Sequence, residues 1–214
     1  MTIKLCFRIA LLVMPALSGC YPSGADYIEE LDLVYTNYDG QADFASRHTY
    51  AIPDSVIKID GDQYLDPDGD GKPNFVTGGY ATTMLARINA NMDAYGWQRV
   101  DKNANPDVIL LVASITTTNI YWYYDWGYWG WWYPGGGYGG WYYPYYPPYA
   151  TSYRTGSIFI QMVDHKAATP AGENVPVLWS GIVNGLAEGS STSINSRIQT
   201  TINQAFAQST YLKH

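Results

Sequence analysis

Residues 121–149 restrict the possible fold more than any other stretch of the chain. They contain six Trp and eleven Tyr, half of all the aromatic residues, with seven Gly, four Pro and a single charge at Asp125. Glycine and proline at this density exclude a long helix or a central strand. A loop of this length in a compact domain is usually functional or disordered. This stretch, the aromatic segment, therefore predicts an irregular insertion between regular elements.

Three interpretations of the aromatic segment are open. It could fold back over a sheet as a structural cover, or form an exposed platform whose rings stack on glycan, peptidoglycan or an envelope protein. In the third interpretation, its Trp and Tyr rings lie at a membrane interface. The candidate contact residues are the six tryptophans: Trp122, Trp126, Trp129, Trp131, Trp132 and Trp141. Because loop-closure entropy changes slowly with length, replacing residues 122–148 with a short linker is expected to leave a folded domain.

The amino terminus has the pattern of a bacterial lipoprotein signal. Lys4 and Arg8 precede an apolar stretch, residues 9–17, that is too short to cross a hydrocarbon core about 30 Å thick as a helix. "LSGC" at residues 17–20 resembles the lipobox, in which the cysteine thiol becomes lipidated. The resemblance implies a signal peptide over residues 1–19, a lipid on Cys20 and a tether over residues 20–31. Each buried acyl methylene contributes about 0.8 kcal/mol, so two or three chains hold a protein firmly to a membrane.

The residue after the cysteine and the net charge narrow the expected location and partners. Tyr21 follows Cys20 where an aspartate would favour the inner membrane, which resembles the sorting pattern of outer-membrane lipoproteins in Gram-negative bacteria. The expected location is the outer membrane, facing the periplasm. Removal of Lys4 and Arg8 with the signal lowers the formal net charge from −7 to −9, so nucleic acid is not an expected partner. With Cys6 in the signal and Cys20 acylated, cysteine catalysis and cysteine metal sites are excluded.

The first half of the mature chain predicts strands around one helix. "LVYTNYD" alternates apolar with polar residues, and "RHTYAI" predicts a second strand. Residues 53–79, rich in Pro, Gly and Asp, predict a loop. Apolar residues then recur at steps of four and three, which predicts a helix closed by Gly96: Ala81, Leu85, Ile88, Met92 and Tyr95. "WQRV" predicts a short strand, and "PDVILLVASITTTN", apolar on both faces, predicts a central covered strand.

The second half predicts a hairpin and a final helix. "SYRTGSIFIQMVD" and "VPVLWSGIVNGL" predict two strands that pair across the turn-rich "HKAATPAGEN". Ser193 is expected to cap the final helix, whose apolar face contains Ile194, Ile198, Ile202 and Ala205. The predicted order is ββαββ, the aromatic segment, then ββα. This order predicts an α+β fold, with two helices on one face of a mixed or mostly antiparallel sheet, in a single domain over residues 32–209.

Four sequence stretches resemble a known family. "ADFASRHTYAIPD", "NPDVILLVAS", "TGSIFIQMVD" and "VLWSGIVNG" before a helix are similar, in that order, to the DUF4136 family of bacterial lipoproteins. The resemblance covers about residues 26–207. It implies an α+β lipoprotein domain facing the periplasm and no assigned enzyme activity. It also implies that the aromatic segment is a variable insertion between two core strands.

"DPDGDGKPN" raises the question of a calcium site. Asp66, Asp68 and Asp70 alternate, and Gly71 takes the sixth place, as in an EF-hand loop. Thr77 stands where the bidentate Glu belongs, so any calcium site here is expected to be weak. A solvated acidic turn is the alternative, and no other cofactor is expected.

Catalytic residues are not evident in the sequence. Its three histidines, His48, His165 and His214, stand in no recognised catalytic motif. Asp107 and Asp164 are expected to accept hydrogen bonds from backbone amides of turns rather than to act as acid and base. The expected function is therefore a non-enzymatic, membrane-anchored binding or scaffold module of the cell envelope. A hydrolase of envelope polymers and a purely structural domain are the alternatives.

Overall fold

The chain folds around one mixed sheet, seen here in a computed structural model. The structure describes residues 33–59, 72–115, 129, 131–133, 140–142, 156–167, 174–184 and 191–214. The described strands are β1 (Leu33–Tyr38), β2 (Thr49–Ala51), β3 (Ile57–Ile59), β4 (Gln98–Arg99), β5 (Val108–Ile115), β6 (Gly140–Tyr142), β7 (Ser157–Asp164) and β8 (Asn174–Asn184). The described helices are α1 (Gly79–Ala94) and α2 (Ser191–Ala207).

The sheet combines long antiparallel and short parallel pairings. Its strand order is β1-β8-β7-β5-β2-β4, with β3 also paired to β5 and β6 to β8. The β1–β8, β7–β8 and β5–β7 pairings are antiparallel, and they include the predicted β7–β8 hairpin. The pairings of β2, β3, β4 and β6 are parallel. The predicted mixed sheet is therefore confirmed.

The central strand β5 is buried along its whole length, as its apolar run predicts. Alternate residues of the strand pack into two different apolar cores, one on each face of the sheet. Val108, Leu110 and Val112 pack towards the helices. Ile109 and Leu111 belong to a second core on the opposite face of the sheet. The fold thus needs a cover on both faces of the sheet.

Both helices cover the same face, which confirms the predicted layers. Ile88 and Met92 of α1 and Ile202 of α2 join one core with the sheet. Gly96, with φ at 91°, follows α1 in the left-handed conformation that favours glycine. Within the described residues, no helix is long and apolar enough to cross a membrane.

Polar contacts set the register between α1 and α2. Three side chains on successive turns of α1 form hydrogen bonds with three side chains on successive turns of α2. The pairs are Thr83–Asn195, Arg87–Gln199 and Asn91–Asn203. Each pair is separated by 112 residues in the sequence. The constant separation shows that the two helices run parallel.

Three details of the predicted order are wrong. The sequence predicts a loop over residues 53–79, but β3 forms there because Ile57 and Ile59 are buried beside β5. β6 forms inside the aromatic segment and pairs with β8, although no strand was expected there. α2 begins at Ser191, so Ser193 lies within the helix and does not cap it.

Candidate functional site on the aromatic face

The described part of the aromatic segment contains one tight turn. The backbone amides of Trp132 and Tyr133 both donate to the carbonyl oxygen of Trp129, at 3.0 and 2.9 Å. This turn places Trp129 and Tyr133, four residues apart, on the same side. Each has only 4% of its surface exposed. These two side chains therefore attach the segment to the domain.

Trp129 and Tyr133 cover the face of the sheet opposite the helices. They join a core formed by apolar residues from five strands: Ala51, Ile57, Ile59, Ile109, Leu111, Ala113, Ile115, Phe159, Val163, Val175, Val177 and Ile182. Without the two rings, part of this apolar surface would be in contact with water. For these two residues the structure supports the interpretation of the segment as a cover.

Trp131 and Trp132 differ from their buried neighbours because both are only partly buried. Trp131 meets the ring of Phe75 edge to face, with the centroids 5.1 Å apart. The Lys102 ammonium donates to the carbonyl oxygen of Trp132 at 2.9 Å and lies 5.2 Å from the centroid of its ring. These four residues, Phe75, Lys102, Trp131 and Trp132, form what we call the aromatic platform.

Tyr133 also connects the segment to a polar cluster at the end of β7. Its hydroxyl lies 3.3 Å from Nδ1 of His165. Burial lowers the pKa of His165, although the neighbouring Asp164 carboxylate acts in the opposite direction. At neutral pH the ring is therefore uncharged and suited to this partly buried contact.

Two buried carboxylates lie beside His165. Asp107 accepts hydrogen bonds from the backbone amides of His48 and Thr49, both at 2.8 Å, and forms an ion pair with Lys166. Burial alone would raise the pKa of Asp107, but the hydrogen bonds from Lys166, His48 and Thr49 outweigh burial and hold the pKa well below its usual range. The carboxylate consequently stays charged and fastens the start of β2 to the start of β5.

Asp164 is engaged in a similar way. It forms an ion pair with Arg47 and accepts a hydrogen bond from the backbone amide of Ala167 at 3.1 Å. The prediction that Asp107 and Asp164 accept hydrogen bonds from backbone amides is confirmed. The amide of Ala167 belongs to a turn, as expected. The amides that donate to Asp107 instead belong to His48 and Thr49, at the start of β2.

The other histidines lie in a separate aromatic contact. The ring of His214 lies 4.8 Å from that of His48 and 4.7 Å from that of Trp97, centroid to centroid. Burial lowers the pKa of His214, and the nearby His48 adds to this effect. Within the described ranges, no group of three or more His, Cys, Asp or Glu side chains is arranged to hold a metal ion.

Several predicted site residues lie outside the described residues: Cys20, Asp66, Asp68, Asp70, Trp122 and Trp126. Trp141 belongs to β6. Lipidation, calcium binding and the contact role of the tryptophans therefore stay predictions.

Sequence reasoning missed Phe75 and Lys102, which reach the platform from distant parts of the chain. The spacing of Trp129 and Tyr133 was the one available signal, since residues four apart share a side of a helical turn.

Comparison with known proteins agrees with this architecture. A model of the family described as a domain of unknown function, DUF4136, matches residues 34–209. The crystal structure of a DUF4136 family protein from Bacteroides thetaiotaomicron VPI-5482 shares 36% sequence identity and has a TM-score of 0.67. The match covers 85% of this chain and 97% of that chain. No curated protein matches the chain.

More distant solved structures are less similar. A PDZ domain protein from Parabacteroides distasonis ATCC 8503 shares 14% identity at a TM-score of 0.44, with 86% of this chain and 37% of that chain covered. The PelC dodecamer from Paraburkholderia phytofirmans shares 11% identity at a TM-score of 0.37, with 83% and 97% covered. Neither similarity is high enough to support an argument about this chain. The match over residues 34–209, together with the relative at 36% identity, shows that the chain belongs to the DUF4136 family.

Proposed function

We propose that this chain is a non-enzymatic binding or scaffold domain of the bacterial cell envelope. A lipid on Cys20 anchors it to the outer membrane, facing the periplasm, and the aromatic platform is its contact surface. One observation carries the proposal: buried Trp129 and Tyr133 hold the partly exposed Trp131 and Trp132 in place between them.

The aromatic platform suits binding because Trp131 and Trp132 are already positioned by their buried neighbours before a partner binds. Preorganised side chains lose less conformational entropy on binding than mobile ones. Flat Trp rings pack against the apolar faces of sugars or against protein side chains, and aromatic residues dominate many contact surfaces. The Lys102 ammonium beside Trp132 adds a hydrogen-bond donor at the edge of the platform. The proposed partners are therefore envelope glycan, including peptidoglycan, or an envelope protein.

The buried polar groups support a scaffold more than a catalyst. Asp107 and Asp164 are held by Lys166, Arg47 and backbone amides, so their contacts fasten the ends of strands to neighbouring segments of the chain. A second candidate, a purely structural segment, is favoured by the burial of Trp129 and Tyr133. The two functions differ in what they require of Trp131 and Trp132.

Changing Cys20 to alanine is expected to abolish acyl labelling and move the protein from the membrane fraction to the soluble fraction. The reason is that the acyl chains supply the hydrophobic attachment, which scales with the number of methylenes buried in lipid. Fractionation of cells fed a labelled fatty acid measures both effects. Cys6→Ala serves as the matched control, because that cysteine lies in the predicted signal and should leave labelling unchanged. Full membrane retention of the Cys20→Ala protein would place the anchor elsewhere.

Changing Trp131 and Trp132 together to alanine is expected to weaken partner binding about tenfold or more without unfolding the domain. A tenfold loss corresponds to about 1.4 kcal/mol, which is within the range of a single aromatic contact residue. Binding is measured by cosedimentation with isolated peptidoglycan sacculi and by pull-down from solubilised envelope proteins.

The matched control for this experiment is Tyr80→Ala, which removes a partly buried aromatic ring from the helix side of the domain. It should leave binding unchanged. If the Trp131 and Trp132 variant binds both materials as well as the unmodified chain does, the platform is not a contact surface and the structural candidate is favoured.

A further inference from the structure

β1 is an edge strand of a kind that pairs readily. All six of its residues pair with β8 in one uninterrupted antiparallel register, from Leu33 opposite Asn184 to Tyr38 opposite Trp179. It ends the strand order, and among the described strands only β8 pairs with it. Natural edge strands are usually protected by charged residues, proline or a bulge. β1, with the sequence LVYTNY, has none of these.

The exposed side chains of β1 distinguish it further. Leu33, Tyr35 and Tyr38 are the exposed large hydrophobic residues of the described chain, at 50%, 47% and 40%. Tyr38 already stacks on Tyr211, with the ring centroids 3.8 Å apart. Tyr35 lies opposite Ile182 and so points to the face of the sheet opposite the helices, as does Leu33 two residues earlier. Leu33 and Tyr35 therefore lie on one face of an edge strand that, among the described strands, pairs with β8 alone.

We propose that β1 pairs with β1 of a second copy of this chain, antiparallel, about a two-fold axis through Tyr35. Residues directly opposite one another in an antiparallel pair point to the same face of the sheet. The helices of both copies therefore lie on the same side of the joined sheet only if one residue of β1 lies opposite its own copy at the two-fold axis. With Tyr35 on the axis, the two Tyr35 rings face each other and Leu33 lies opposite Asn37. Cross-strand aromatic pairs are among the favourable ones.

Charge and reach both suit a second copy. β1 is uncharged, so the seam itself brings no like charges together although the whole chain has a formal net charge of −7. This step rests on the proposed lipid anchor: Cys20 lies thirteen residues before Leu33, a reach of at most about 45 Å. In the paired strands the two Leu33 residues are only about 14 Å apart along the seam. Both copies can thus be anchored in one membrane, which raises their effective concentration.

A lipid surface fits the same edge less well. Glu29, Glu30 and Asp32 directly precede β1 and are repelled by anionic lipid headgroups. Any outward backbone amide or carbonyl of an edge strand that has no protein partner would also lack one in hydrocarbon. A second strand satisfies these groups, whereas lipid does not.

Disulfide formation in membranes that contain the full-length chain tests the pairing. Tyr35→Cys is expected to give a disulfide-linked dimer under mild oxidation, in at least fivefold higher yield than Tyr38→Cys. Both positions are exposed on the same strand, but only residue 35 lies opposite itself. Oxidation of a mixture of Leu33→Cys and Asn37→Cys chains should give the heterodimer and so confirm the register. The chain with Cys20 as its one mature cysteine provides the background.

Three results would overturn the proposal. Equal yields from Tyr35→Cys and Tyr38→Cys would remove the two-fold axis. A disulfide to a different protein would make β1 a site for another partner. If an environment-sensitive fluorophore attached to Tyr35→Cys reports apolar lipid surroundings and no disulfide-linked dimer forms, the edge is a membrane contact. Fractionation of the same samples tests the anchor separately, because dimer in the soluble fraction would contradict lipidation and still support pairing.

Discussion

Changing Trp129 to alanine is expected to lower the free energy of unfolding by about 3–5 kcal/mol, as for other large aromatic residues removed from a core. The ring is buried against the sheet face that the helices do not cover. Its removal leaves a cavity and exposes apolar strand residues to water. Urea denaturation of the purified protein, followed by far-ultraviolet circular dichroism, measures the change. Trp131→Ala, at a partly buried position two residues away, is the matched control and should cost clearly less.

Deleting most of the aromatic segment removes Trp129 together with Tyr133 and β6. The sequence alone predicts that replacing residues 122–148 with a linker leaves a folded domain, because it indicates no contact between the segment and the core strands. The structure shows that this range supplies Trp129 and Tyr133 to the second core and β6 to the sheet. We now expect the deletion to destabilise the domain more than Trp129→Ala does. A deletion variant as stable as the complete chain would show that neither ring is needed as cover.

Changing Asp107 to alanine is expected to cost about 3 kcal/mol, since hydrogen bonds to a charged group each contribute roughly 1.5–3 kcal/mol. Asp107 is 6% exposed, and its loss leaves the amides of His48 and Thr49 without this acceptor. Asp107→Asn should cost less, because the amide oxygen can still accept. The two variants together separate the hydrogen bonds from the charge.

The pKa of Asp107 also sets the expected pH dependence. Because the folded pKa is lowered, the carboxylate stabilises the fold fully above its unfolded pKa of about 3.9, and this contribution is lost as the pH falls through the folded value. The difference in unfolding free energy between the unmodified chain and Asp107→Asn should therefore be constant near neutral pH and shrink below about pH 4. Asp54→Asn, which removes an exposed ion pair with Arg99, is the control and should change stability little. A difference that grows on acidification would contradict the assigned role.

Local patterns predicted the elements whose burial follows from their own sequence. β5 is apolar on both faces, and the Leu85, Ile88 and Met92 spacing fits one side of a helix, so both elements lie where expected. Each of these signals is contained in a single element and needs no knowledge of its neighbours. The family resemblance added the expectation that the aromatic segment is an insertion between two core strands.

The candidate site was less predictable because long-range packing decides it. Ile57 and Ile59 occupy a stretch rich in turn residues, and only their place beside β5 makes β3 a strand. Likewise, Phe75 meets Trp131 although more than fifty residues separate them in the sequence. Composition correctly marked the aromatic segment as unusual. It did not distinguish the rings that are buried, such as Trp129, from those that are partly exposed.

The joining of distant parts of the chain also bears on the speed of folding. β1 finds its partner in β8, near the other end of the domain, and α1 meets α2 across 112 residues. Such a high contact order slows folding, because the entropy of closing long loops is lost before the contacts form. In a chain synthesised from its amino terminus, β1 appears first but has no partner strand until β8 follows. The uncharged β1 is therefore a part of the nascent chain that needs protection from aggregation until β8 has been made.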